Sequence, residues 1–338
     1  MPQSPNPDKG SDRLASPARR SEHLSGTSSK RGDMVFAGIS RAAGIAVLGL
    51  LVAIAVFLIW KAWPAFGKDK ANFFTTKEWD PDGSQRFGIL ALAYGTVLSS
   101  LVALFMAVPV ALGVAVYITE YAPRRLSRVL GYVTDMLAAI PSVVYGLWGL
   151  AFLVPHLVGV QQALNSVLGW FPLFAASSGA LDAPAGSIFA ASIVLAIMIL
   201  PIIAAISREV LRQADPSHKE AALALGATKL EVVRTAVFPP SRSGIVGAIM
   251  LGLGRALGET IAVALVLSTS YTVSPHILES GGNTIAANIA TTFGEAGSVG
   301  LPALIASGLV LFAITLVVNL GARAVIYRSG KTERAAMA

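Results

Sequence analysis

Arg255 and Glu259 have the most chemistry to offer. They stand four residues apart in a run from Gly244 to about Ser268 that carries no other charge. On a helix that spacing is one turn and puts both side chains on one face. Arg255 lies 11 residues past Gly244, about 16 Å along a helix at ~1.5 Å per residue. That is near the middle of a hydrocarbon core ~30 Å thick. A charge at such depth costs at least ~2.5 kcal/mol on insertion scales, so the pair should face the helix bundle or a water-filled path. Gly254 and Gly258 bracket Arg255 as G-x-x-x-G, which lets a neighbouring helix approach closely. Two chemistries fit. The charges could simply neutralise each other and hold helices together. Alternatively, Arg255 offers a planar fork matched to phosphate or carboxylate oxygens. Glu259 would then orient it and keep an anion from binding too tightly to leave. Thr260, next in the chain, belongs to the same candidate path. So do Ser142 and Tyr145, on another apolar stretch that also carries Asp135 and Pro141.

Other chemistries are poorly supplied. The chain has no cysteine, which excludes disulfides, thiolate catalysis and thiolate metal sites. Its four histidines, at positions 23, 156, 218 and 276, lack metal-ligand spacing. Gly330-Lys331-Thr332 looks like the end of a phosphate-binding loop, but the first glycine of that motif would fall at Val325 and no strand precedes it. No nucleophile and base are paired at membrane depth. The chain is therefore expected to be no enzyme and to hold no metal and no cofactor. If ATP drives it, a partner must bind the ATP and its magnesium.

The elements that would position these residues are membrane spans. Of 338 residues, 54% are hydrophobic and 13% charged, and mean hydropathy is +0.66. A soluble chain would carry about twice that charge. The apolar residues fall in blocks. Residues 1–35 are rich in Ser, Pro, Gly and charge and are expected to be a disordered tail. Six spans follow: Ala42–Trp60, a run within Phe87–Thr119, Val129 to about Val158, Ser187–Ser207, Gly244 to about Ser268, and Gly300 to about Ile326. The reading is an all-α membrane protein with a permease domain over 36–328 and a short tail over 329–338.

Charge orients the spans. Lys and Arg number seven up to Arg41, three in 120–128, six in 208–243 and four from Arg323 onward. The alternate loops hold five, none and none. The five in Lys61–Arg86 are offset by Asp69, Glu78, Asp80 and Asp82. The positive-inside rule puts both termini and the 208–243 loop in the cytoplasm. The net charge of +7 then reflects topology, with the lipid bilayer rather than nucleic acid as partner.

The 208–243 loop reads as a helix–turn–helix hairpin. Asp215-Pro216-Ser217 signals a helix start. Lys219–Leu225 favours helix, Gly226 can cap it, and Pro239-Pro240 should stop the second helix. A connector of this kind is often only a connector.

The pattern is more specific than that. Glu220-Ala221-Ala222, Gly226 and the Ala236-x-Phe238-Pro239 ending resemble the EAA loop of ABC-importer permeases, with Ala236 and Phe238 as mild departures. GRALGETIAV, Gly254 to Val263, and the Ala138–Leu147 run resemble the phosphate-specific permeases of bacterial importers, of the PstC rather than the PstA type. The likeness covers roughly Ala42 to Arg328. It implies a type I importer fold in a heterodimer with a PstA-like permease, two PstB-like cytoplasmic ATPase subunits and an extracytoplasmic phosphate-binding protein. It implies that Glu220, Ala221, Ala222, Gly226 and Pro239 couple the chain to the ATPase, with Glu220 fixing the loop. Phosphate would be imported by alternating access. The alternatives are a permease for another oxyanion, such as molybdate or sulfate, and an ion-coupled carrier using Glu259 for protons.

Overall fold

The computed structural model describes the backbone of residues 30–336 and the side chains of residues 32–324. Six helical stretches are long and apolar enough to cross a membrane: Gly32–Lys68, Leu90–Tyr121, Ser142–Leu168, Ile188–Arg212, Lys229–Leu257 and Gly300–Ala324. The chain divides into two units between Ile54 and Ala55. Up to Ile54, the helix α1 (Lys30–Lys68) exposes apolar side chains all round, among them Val47, Leu48, Leu50 and Val52. That suits a helix with lipid on every side.

From Ala55 onward the fold is built around α6 (Ile188–Arg212), the most buried of the spans. Its faces bury Leu195, Met198, Ile199 and Ile203. Against it lies α2 (Leu90–Val116), continued by one π turn to Tyr121. On α2 the residues Ala91, Gly95, Ser99, Ala103, Ala107, Ala111 and Ala115 recur every fourth position, and all are buried. A stripe of small side chains lets two helix backbones approach, so dispersion contacts hold the pair where lipid removes the hydrophobic drive. α9 (Phe238–Leu257) packs against both α6 and α2, and a Cβ on its Gly252 would lie 2.7 Å from the Ile203 side chain.

Outside the spans, a two-stranded hairpin, β1 (Trp79–Asp80) and β2 (Arg86–Phe87), pairs Trp79 with Phe87. The turn between them carries Asp82. Its carboxylate accepts backbone N–H bonds from Gly297, Val299 and Gly300 at 2.7, 3.1 and 3.0 Å, at the start of α12 (Gly300–Ala336).

The third span differs from its expected bounds. Arg124–Ala138 forms a separate helix, α3. The span begins at Ser142 with α4 (Ser142–Trp148), passes one π turn and continues as α5 (Val154–Leu168). Pro141 cannot donate a backbone N–H and disfavours helix at Ile140, so the chain breaks there. Conversely, Pro239 and Pro240 do not stop a helix. They occupy the first turn of α9, where no N–H is needed. The π turn Val233–Val237 before them lets the Phe238 N–H reach the Val233 carbonyl, so the Lys229–Leu257 span runs on. The last residues of the expected N-terminal tail are helical. The backbone is helical from Lys30, and α12 continues through Ala336. The remainder of the expected N-terminal tail lies outside the described residues.

Candidate functional site

The fifth span is broken where its two charges sit. α9 ends at Leu257, Gly258 caps it, and α10 (Ile261–Val266) starts after Thr260. Arg255 therefore lies in the last turn of one helix, at its negative dipole end, while Glu259 precedes the positive end of the next. The expected Arg255–Glu259 pair is not formed, and they do not share a helix face. The break at Gly258 removes the continuity that the four-residue spacing assumed. Glu259 is buried, and its Oε1 accepts the Ala262 N–H at 3.2 Å, capping α10. The Thr260 hydroxyl donates to the Gly258 carbonyl at 3.1 Å. Arg255 is exposed and makes no ion pair or hydrogen bond among the described residues. It lines an open groove of about 520 Å³ with Ile202, Leu251, Gly254 and Asn319. Among the described residues the close approach expected at Gly254 and Gly258 is not made: nothing lies near the Gly254 position, and the Gly258 position meets only backbone of its own helix.

α4 packs against α10 beside the break. A Cβ on Gly146 would fall 2.7 Å from the Ala262 Cα, so the two helices touch backbone to backbone. Tyr145 spends its hydroxyl on the Leu137 carbonyl at 3.0 Å, bridging the α3–α4 break. Ser142 opens α4, half-buried and without a hydrogen bond among the described residues. Asp135 is not part of this region. Both its oxygens take the Arg208 Nη2 at 3.1 Å, which ties α3 to α6.

The polar hairpin follows α6 directly. α7 (Pro216–Ala224) is capped by Asp215, whose Oδ1 accepts the Ser217 N–H at 2.8 Å and holds the Asp215 carboxyl below its usual range. Gly226 has φ +84°. The Gly226 and Ala227 N–H groups donate back to Leu223 and Ala222, a Schellman ending in which only a left-handed residue fits. Thr228 and Glu231 form a capping box on α8 (Lys229–Val232). No residue of α7 is buried, and Leu223 and Leu225 are 53% and 90% exposed. Ala221 is exposed and Ala222 half-buried. Glu220 is exposed and unbonded among the described residues. An ion pair from Lys219 Nζ to Glu120 Oε1 at 2.6 Å ties α7 to the second span, and α7 also packs against the π turn Val233–Val237. Pro239 lies at the start of α9, beyond this apolar tip.

Residues 107–329 match the family described as binding-protein-dependent transport system inner membrane component. The phosphate transport system permease protein PstC 2 of Mycobacterium tuberculosis is 48% identical over 88% of this chain and 92% of its own length. The chain belongs to this permease family, in its PstC branch. PstC of Xylella fastidiosa (strain 9a5c) is 41% identical over 90% of this chain and 93% of its own. A solved chain of the inward-facing MetNI methionine ABC transporter superposes with a TM-score of 0.50, at 16% identity over 70% of this chain and 93% of that one. That likeness shows the fold alone. The permease is a multi-pass inner-membrane protein, and its relatives are transport subunits.

Some of what positions the permease site was not anticipated from sequence. The Thr96 hydroxyl oxygen accepts the Ile285 N–H at 2.9 Å, starting α11 (Ile285–Thr292) in a buried place. The Asn288 Oδ1 takes the Tyr271 hydroxyl at 2.9 Å and the Asn283 amide at 3.2 Å. Gln161 bonds Ser187 and the Leu278 carbonyl at 3.0 and 3.2 Å. The bonds from Thr96 and Gln161 hold the 269–299 segment onto the spans and the Asn288 bonds tie it to itself, so part of that segment is packed structure rather than free loop. The available signal was the amide side chains at 283 and 288 in a segment without Lys or Arg.

Proposed function

We propose that this chain is a permease subunit of an ATP-driven importer that moves inorganic phosphate inward by alternating access. The observation that supports this most is identity of 41–48% to PstC permeases across nearly the whole chain. The geometry agrees with the reading. The groove at Arg255, and the open faces of Gly254 and Gly258, suit a second permease subunit closing the path. A PstA-like partner would make the heterodimer. The exposed Leu223 and Leu225 at the hairpin tip suit a groove on each of two PstB-like ATPases, which would bind the ATP and magnesium. A phosphate-binding protein would deliver substrate from outside, with both termini and the hairpin in the cytoplasm. Arg255 would meet phosphate in transit, with Thr260, Ser142 and Tyr145 nearby, while Glu259 holds the break in shape.

The test is uptake of radiolabelled phosphate by the assembled importer in vesicles, normalised to the amount of this chain. Uptake should require ATP and resist excess sulfate or molybdate. Arg255→Gln should lower it at least about tenfold at unchanged abundance, because a charge-assisted contact is lost. Arg255→Lys should fall between, having lost the planar fork. Uptake by this chain without an ATPase, or equal competition by sulfate, would overturn the reading.

A further inference from the structure

A second basic site lies away from the break, where α3 meets the end of α6. A cavity of about 400 Å³ is lined by Arg124, Arg128, Arg208 and Arg212, with Asp135 the sole carboxylate among its lining residues. Four cations against one anion leave a surplus of three. Asp135 is already committed to Arg208. Arg124, Arg128 and Arg212 make no ion pair or hydrogen bond among the described residues. Arg208 is only 9% exposed, and its Nε and Nη1 are buried without a hydrogen-bond partner. A buried guanidinium with unused donors is costly unless something completes it. Gly131 stands where a Cβ would fall 2.7 Å from Arg208 Nη1, so the absence of a side chain there is what admits the guanidinium.

The shape of α3 narrows the ligand class. At about 100° per residue, Arg124, Arg128, Gly131 and Asp135 fall on one face. On the opposite face Val129, Val133, Met136 and Leu137 are all exposed. The helix turns its charges toward α6 and its apolar side outward, as an interfacial helix does when acyl chains cover it.

We propose that this cavity binds a phosphate group, gripped by Arg124, Arg128 and Arg212 and completing Arg208. Guanidinium forks match phosphate oxygens, and such basic pockets beside spans take phospholipid headgroups. The headgroup of an anionic lipid and free inorganic phosphate share this chemistry. The cavity sits on the last turn of α6, four residues before α7 begins at Pro216. An occupant would tie α3 to α6 directly beneath the polar hairpin.

The experiment uses the full chain in nanodiscs and has two arms. One measures binding of phosphatidylglycerol from mixtures with phosphatidylcholine. The other titrates inorganic phosphate against chloride at matched ionic strength in phosphatidylcholine alone. Retention in the first arm identifies a lipid site, and saturable binding in the second a site for free phosphate. In whichever arm binds, Arg124→Gln with Arg128→Gln should weaken it about thirtyfold, and Arg212→Gln alone about fivefold. Arg125→Gln, on the same helix but not lining the cavity, should change it less than twofold. No preference in either arm, or an Arg125→Gln loss as large as that of the double variant, would overturn the site.

Discussion

The hairpin and the broken fifth span are the two regions that single this chain out, and they are ordered by opposite means. The hairpin tip buries nothing. Its shape comes from local hydrogen bonds: the Asp215 cap, the Gly226 ending and the Thr228–Glu231 box. The break buries Ala256, Leu257, Glu259 and Ala262, and its shape comes from helices that touch it. Local capping lets an element keep its form while it moves as a unit. Packing fixes an element relative to its neighbours, so it moves only when they do. The docking and switching proposed above call for those two kinds of order.

Filling space at the break should do the most damage. Gly146→Val would drive a side chain into the Ala262 backbone and Leu265. Overpacking of this kind costs about 3 kcal/mol. Thermal unfolding of the purified chain should shift sharply downward. An unchanged midpoint would mean α4 and α10 are not in fixed contact. Next comes Glu259→Ala, which leaves the buried Ala262 N–H without its acceptor at about 2 kcal/mol. Glu259→Gln keeps an acceptor oxygen and should recover most of that loss. If both variants behave alike, the charge rather than the cap is what matters.

The hairpin should respond less and only locally. Gly226 has open space around it, so Gly226→Ala costs through its φ alone, about 1 kcal/mol. Protease cleavage in the hairpin should rise while global unfolding stays put, and Gly226→Asn should be milder than Gly226→Ala. A fall in global stability would contradict the local order assigned to the tip. The smallest effect concerns pH. Burial works to raise the Asp82 pKa, but N–H donation from Gly300, Gly297 and Val299 outweighs it and leaves the value lowered. Because the folded-state pKa is depressed, this latch is complete above the ordinary carboxylate range and is lost as pH falls through the lowered value. Protease access to the 296–300 turn should increase on acidification below about pH 4. Asp82→Asn should be open at neutral pH and flat across the range.

The sequence alone determined the class of the molecule, the number of spans and the hairpin. Each rests on signals local in the chain: apolar runs long enough to span, and cap residues at fixed offsets. Asp215, Gly226, Thr228 and Glu231 act within a few residues of themselves, so their types suffice. Only tertiary structure decided the break. The spacing of Arg255 and Glu259 reads as one helical turn. Gly258 ends the helix there, in a place where α4 and α6 hold both halves. The third span shows the same limit: Val129–Ala138 is apolar enough to pass for membrane, yet Asp135 is drawn to Arg208, 73 residues away. The small-residue stripe of α2 was present in the sequence as a four-residue period. What it packs against was not, because its partner α6 is almost wholly apolar from Ile188 to Ile206 and offers no one face to single out. A hydrogen bond to a neighbour in the chain is written in residue types, whereas a contact between distant helices depends on shapes that meet only after folding.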